Sequence, residues 1–229
     1  MPRSLQFASK LPFGPGRNRR ALAARLAAYG REFHTRGWAR GTSGNYSAIL
    51  GREPLRLLIT SSGLDKTFLT ERDFLEIDER GNLLGGRGKP SAETALHLVL
   101  AGLRDTIGCV LHTHSVWNTL LSEQYLAQGG LAISGYEMLK GLEGVKTHKH
   151  REWIPVFAND QDVPALAETV ATGLERDPAA HGFLIAGHGL YTWGDTLPQA
   201  RRHVEIFEFL FEVAGRRASG SGLAAGNSI

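Results

Sequence analysis

Residues 107–125 read IGCVLHTHSVWNTLLSEQY. The short apolar run Cys109-Val110-Leu111 predicts a buried strand, and the strand closes on His112-Thr113-His114. A helix is expected directly after it, from about Val116 to Tyr125. Side chains two apart on a strand share a face, so His112 and His114 stand side by side at the strand end. Such a pair suits a divalent metal such as Zn²⁺. It equally suits two polar residues bonded to backbone or water, and spacing alone does not choose between these readings.

Outward from this stretch, helices and strands alternate. Leu22, Leu26, Tyr29 and Phe33 recur at helical spacing between Arg19 and about Arg36. GWARGTSGNYSAIL (37–50) gives a Gly-rich turn and a short strand, and PLRLLITSSG (54–63) a second strand ending in small residues. FLTERDFLEIDERGNLLGG (68–86) predicts one helical turn and a hairpin around Gly81-Asn82. Ser91 is the expected N-cap of a helix through about Arg104, with Leu96, Val99, Leu100 and Leu103 inward. LAISGYEMLKGL (131–142) and HREWIPVFAN (150–159) predict a weaker strand, a short helix and another strand. Asp162 and Pro164 open a helix over 163–176, HGFLIAGHGLYTWGD (181–195) reads as two strands around a Gly-rich turn, and Thr196 caps a last helix with Val204, Phe207, Leu210 and Phe211 inward. The pattern is that of a single α/β domain over 19–215, behind a flexible leader (1–18) and before a disordered tail (216–229).

The chain has 229 residues, 42% hydrophobic and 21% charged, with a net charge of +3, values ordinary for a soluble globular protein. Its basic excess sits largely in RNRR (17–20) and GRR (215–217), and a long basic stripe interleaved with aromatics, as a nucleic-acid surface requires, is missing. Cys109 is the single cysteine, which excludes an internal disulfide and fits a reducing compartment. No window approaches the roughly 18 apolar residues of a membrane span, and the first twenty residues lack the apolar core of a signal peptide. A cytoplasmic location is expected.

Further motifs bear on the metal. His188, between glycines in IAGHGLY (185–191), could be a third ligand at another strand end, although a histidine between glycines is more often a turn residue. THKH (147–150) repeats the two-apart spacing with His148 and His150, but among Lys146, Lys149 and Arg151 a cation is disfavoured. GTSGN (41–45) and TSSG (60–63) offer Ser43, Gly44, Asn45, Ser61, Ser62 and Gly63, whose N–H groups and hydroxyls suit an anion such as phosphate, and Ser91 could add a helix N-terminus. Such clusters are usually turns, and neither matches a Walker or dinucleotide fingerprint. Glu93 and Glu137 are acid/base candidates, each alternatively a solvated surface glutamate.

Taken in order, GTSGN, ITSSG, KPSAE, HTH and GHG resemble the class II aldolase and adducin family over about residues 20–213. Within it, GYEMLKGL (135–142), THKHREWIPVFANDQD (147–162) and GHGLYTWGDTLPQARRHVEIFEFLFE (187–212) are similar to the branch of dehydratases acting on methylthioribulose 1-phosphate. The resemblance implies a three-layer α/β/α sandwich with a mixed central sheet, one Zn²⁺ per subunit on His112, His114 and His188, and a homotetramer. It implies dehydration of a phosphorylated ketose in methionine salvage, with Glu137 as acid/base. Glu93 stands where the sugar-phosphate aldolases carry theirs, and where eukaryotic dehydratases carry a nearby cysteine, so two carboxylates compete. Retro-aldol cleavage and a non-catalytic adducin-like module are the alternatives. The module predicts lost metal ligands, whereas all three histidines are present.

Overall fold

The computed structural model describes residues 18–224. Asn18 caps α1 (Arg19–Thr35) by accepting from the backbone N–H groups of Arg20 and Ala21, and Ala23, Leu26, Ala27, Gly30 and Phe33 bury its inner stripe. The chain then forms a meander of β1 (Asn45–Arg52), β2 (Leu55–Thr60), β3 (Phe74–Asp78) and β4 (Leu83–Gly85), with two 3₁₀ turns, Lys66–Phe68 and Glu71–Asp73, between β2 and β3. Next come α2 (Thr94–Leu103), β5 (Cys109–Thr113) and α3 (Val116–Tyr125). β6 (Gly130–Ser134), a 3₁₀ turn at Glu137–Gly141, β7 (Arg151–Phe157) and α4 (Val163–Arg176) follow. The fold closes with β8 (Gly182–Ile185), β9 (Gly189–Gly194) and α5 (Leu197–Ala224).

All nine strands join one sheet in the order β4-β3-β2-β1-β5-β9-β8-β7-β6. Neighbours are antiparallel except β7 and β8, which are parallel, so the sheet is mixed. β5 lies at its centre with every residue buried, as its unbroken apolar run requires. On one face, Leu96 and Leu100 of α2 and Leu166 and Val170 of α4 pack on Val110, Phe183 and Trp193. On the other, α1 and α5 meet at Leu26, Phe33, Tyr46 and Val204, and α3 joins α5 through Leu121, Phe207 and Phe211. Burying each such Leu or Phe is worth about 1.5–3 kcal/mol, so packing onto the sheet holds these helices. The three-layer α/β/α sandwich is the architecture implied by the family resemblance.

Three expectations need correction. Ser91 is not the cap of α2: the chain first makes a tight turn, with the N–H of Thr94 on the Ser91 carbonyl, and Ser91 Oγ accepts from the N–H of Glu93. The helix starts at Thr94, with Glu93 in the cap position. Asn18, assigned to the leader, belongs to the folded chain as the cap of α1. α5 runs on through Ala224 into the segment expected to be disordered; where it enters that segment, Arg216 pairs with Glu212 one turn back, Arg217 donates to Tyr136 Oη, and Trp117 packs over Gly215. Residues 1–17 and 225–229 lie outside the described part.

Candidate metal and phosphate site

β5 delivers His112 and His114 to the face of the sheet that carries α2, and the β8–β9 turn brings His188 beside them. His112 Nε2 and His114 Nε2 are 2.7 Å apart, and the three rings stand edge to face with centroids 4.5–5.0 Å apart. The Gly-His-Gly sequence has a steric reason. Gly187 adopts φ +61, and a Cβ on Gly189 would lie 2.3 Å from the Thr113 carbonyl and 3.0 Å from the His112 ring. Only glycine lets the turn approach this closely.

Glu93 enters from the start of α2. Its Oε1 is 2.8 Å from His188 Nε2 and 3.5 Å from His112 Nε2, and one ligand atom from each of these four residues lies within 4.8 Å of the others. His112 Nδ1–H donates to the Leu190 carbonyl at 2.9 Å, which leaves its Nε2 lone pair aimed inward. The ring stacks on Tyr191, with centroids 3.9 Å apart. Burial drives both histidines of the strand toward the neutral form, His114 down to about 2. Burial opposes the charge on Glu93, but the neighbouring imidazoles outweigh it and hold the carboxyl well below its usual range. Three imidazoles and one carboxylate converging on one point are a donor set for a divalent cation, and the chemistry fits zinc. His188 Nδ1 is buried without a partner among the described residues.

Beside this cluster is a cleft of about 200 Å³. It is formed by residues 42–45 and 60–63, Lys66, Ser91, Glu93 and His114, so every residue proposed from sequence for phosphate binding lines one cavity. The N–H groups of Ser43, Ser61 and Ser62 are taken by the Arg40, Asp73 and Lys89 carbonyls, so they form no anion nest. The cleft also holds the Ser43 hydroxyl, buried without a partner among the described residues, and Lys66. Lys66 is 1% exposed, and its Nζ donates to the Thr42 and Leu64 carbonyls at 2.8 Å each. An ammonium has three donors, so one is left for the cleft. Burial pushes the Lys66 pKa down to about 8, against the pull of Glu93 and Asp65.

Glu137 is not in the cluster. It is largely exposed on its 3₁₀ turn, paired with Lys140 and, at 3.2 Å, with His148, and it borders a separate groove with Trp38, Trp117, Met138 and Phe209. His148 and His150 do not form a metal pair, since His150 Nε2 donates to the buried Glu152 at 2.7 Å while His148 turns to Glu137. Between His112 and His114, Thr113 points to the opposite face, where its hydroxyl and Asn118 Nδ2 both donate to Glu208 Oε1 at 3.2 Å. Burial lifts the Glu208 carboxyl to about 7, opposed by the hydrogen bonds it accepts.

Residues 24–214 match the Class II Aldolase and Adducin N-terminal domain. The chain belongs to that family. Two curated members similar to it are each named methylthioribulose-1-phosphate dehydratase. The one from Marinobacter nauticus is 45% identical over 183 residues, covering 80% of this chain and 87% of that protein. The one from Pseudomonas aeruginosa is 47% identical over 196 residues, covering 85% and 94%. Among solved class II aldolase structures, an L-fuculose 1-phosphate aldolase superposes with a TM-score of 0.72 at 24% identity, covering 87% of each chain, a likeness that speaks to the fold alone. Lys66, His97, Ser47 and Glu208 were not singled out from sequence. His97 carried a usable signal, because it lies four residues from Glu93 and so on the same side of a helix.

Proposed function

We propose that this chain is a methylthioribulose-1-phosphate dehydratase, a lyase of methionine salvage that converts the phosphorylated ketose to 2,3-diketo-5-methylthiopentyl 1-phosphate. The observation that carries the reading is the junction of three histidines and a carboxylate with a cleft holding Lys66 and a free serine hydroxyl, on a chain 45–47% identical to proteins of that name. His112, His114 and His188 would hold the metal, taken as zinc, one per subunit. Bound there, it would act as a Lewis acid toward the ketone.

The chain's own residues do the rest. Lys66 and Ser43 hold the phosphate, fixing the far end of the substrate and converting binding energy into orientation. Asn45 Nδ2 donates to Glu93 Oε2, so Glu93 offers Oε1 on the metal side. There it takes the C3 proton, acidified by the adjoining carbonyl, and it can return that proton to the departing C4 hydroxyl. Water leaves, and the enol that remains tautomerises to the diketone. Positioned proton transfer of this kind contributes about 10²- to 10⁴-fold. Glu93 is assigned this role because it lies with the ligands. Glu137 is the second candidate, reaching a metal only from outside its own chain's cluster. A homotetramer in the cytoplasm completes the proposal. It is in keeping with the family resemblance, and among the described residues no helix is long and apolar enough to cross a membrane.

The test is to incubate zinc-loaded protein with methylthioribulose 1-phosphate and follow the product by mass. Loss of one water is expected, abolished in His112→Ala and reduced about 10²- to 10⁴-fold in Glu93→Gln. Cleavage into two carbon fragments would assign the chain to the aldolases instead. A Glu137→Gln variant as impaired as Glu93→Gln would move the proton transfer to Glu137.

A further inference from the structure

Three side chains behind Glu93 form a chain of hydrogen bonds, of which the proposed reaction uses only the last, from Asn45 to Glu93. Asn45 and Ser47 stand two apart on β1, so both face α2. His97, four residues beyond Glu93, faces back toward them and is completely buried. Ser47 Oγ lies 2.8 Å from His97 Nδ1, His97 Nε2 contacts Asn45 Oδ1, and Asn45 Nδ2 contacts Glu93 Oε2.

The direction of every bond follows from one end. An ionised carboxylate only accepts, so Asn45 must turn its NH₂ toward Glu93. Its Oδ1 then faces His97 and can only accept, which places the imidazole proton on Nε2. Nδ1 is left bare and takes the hydroxyl proton of Ser47. Burial pushes His97 down to about 3, so the ring is neutral and has a single proton to place. Ser47, His97 and Asn45 are thus three donors in series, directed at one oxygen of Glu93.

We propose that His97 is a positioning residue: its Nε2–H tautomer, set by Ser47, fixes the Asn45 amide and through it decides which oxygen of Glu93 is held and which faces the histidines. Asn45 then belongs to the acid/base apparatus rather than to the phosphate loop. Tautomer and metal affinity can be read on the chain itself, and only the kinetic arm rests on the proposed function.

The experiment uses the full chain with ¹⁵N-labelled histidine. In the metal-free protein His97 is expected as the Nε2–H tautomer, shifting toward a mixture in Ser47→Ala. Zinc affinity, measured by chelator competition, is expected to fall about 10- to 100-fold in His97→Leu, because the Glu93 carboxylate that His97 steers lies among the three histidine nitrogens around the cation position. It should stay within about threefold in His97→Gln, whose amide can both donate to Asn45 and accept from Ser47. With substrate, His97→Leu should lower kcat and leave KM nearly unchanged. An Nδ1–H tautomer in the parent protein overturns the proposal even if His97→Leu does not fold. Unchanged zinc affinity in folded His97→Leu, or equal losses in the Leu and Gln variants, overturns it as well. Absence of turnover in the parent, with the tautomer and affinity results as expected, would refute the proposed reaction and leave this assignment standing.

Discussion

Glu208→Gln should make the protein more stable at neutral and alkaline pH. The carboxyl accepts from Thr113 and Asn118 through Oε1, while Oε2 is buried with no partner among the described residues. Its pKa rises from 4.5 to about 7 on folding. Below 4.5 both folded and unfolded chains carry the proton, and this group costs nothing. Between 4.5 and about 7 the unfolded chain ionises first, so stability falls as pH rises; above 7 the whole difference is lost. At about 1.4 kcal/mol per unit this comes to about 3 kcal/mol. Glutamine keeps the shape and the accepting oxygen but cannot ionise, and its additional unpaired amide hydrogen takes back about 1 kcal/mol. The variant is therefore expected to exceed the parent by about 2–3 kcal/mol at about pH 8 and to match or fall slightly below it at about pH 5. Guanidinium denaturation of both proteins across this range, compared at the midpoints, measures the difference. If the two stability profiles run parallel, Glu208 does not titrate in this window and the desolvation argument is wrong.

Lys66→Met removes a charge-assisted bond worth about 1.5–3 kcal/mol, so KM for the phosphorylated substrate should rise about 10- to 100-fold with little change in kcat. Steady-state kinetics decide this, and a loss confined to kcat would place Lys66 at the chemistry instead of the phosphate. Gly189→Ala forces a Cβ to 2.3 Å from the Thr113 carbonyl and against the His112 ring. It should lose about 1–3 kcal/mol of stability together with zinc affinity, read by denaturation and chelator competition; parental zinc affinity would mean that the turn shifts without disturbing the ligands.

The features legible in the sequence are those that depend on neighbours along the chain. The strand ending in His-Thr-His, the helix Val116–Tyr125 and the Asp162 cap of α4 all stand where local pattern put them. Ser91 misled because its hydroxyl bonds two residues ahead and the helix begins only after a tight turn, a choice between two local bonds that composition does not reveal. The end of α5 was misread as a tail because its Gly, Ser and Ala residues look unstructured, while the contacts holding it come from Trp117 and Tyr136, distant in sequence. Lys66 was invisible for the same reason: a lysine after a small-residue loop is ordinarily solvated, and its burial is created by carbonyls from two separate loops. Glu137, named by motif similarity, stands exposed and outside the cluster of Glu93, His112, His114 and His188 within this chain.

Asn45, His112 and Tyr191 are direct cross-strand partners on β1, β5 and β9. The site is therefore written across three strands in a common phase. The irregularity in the pairing of β1 with β2 lies between Ile49 and Gly51, at the end of β1 away from Asn45. An added residue at that end can be taken up by the existing bulge. One inserted between Asn45 and Ile49 would reverse the alternation, turning Asn45 and Ser47 toward α1 and presenting Tyr46 to Glu93. Length changes in this sheet are thus tolerable on one side of Ile49 and ruinous on the other, a boundary that anyone grafting or shortening the β1–β2 hairpin would have to respect.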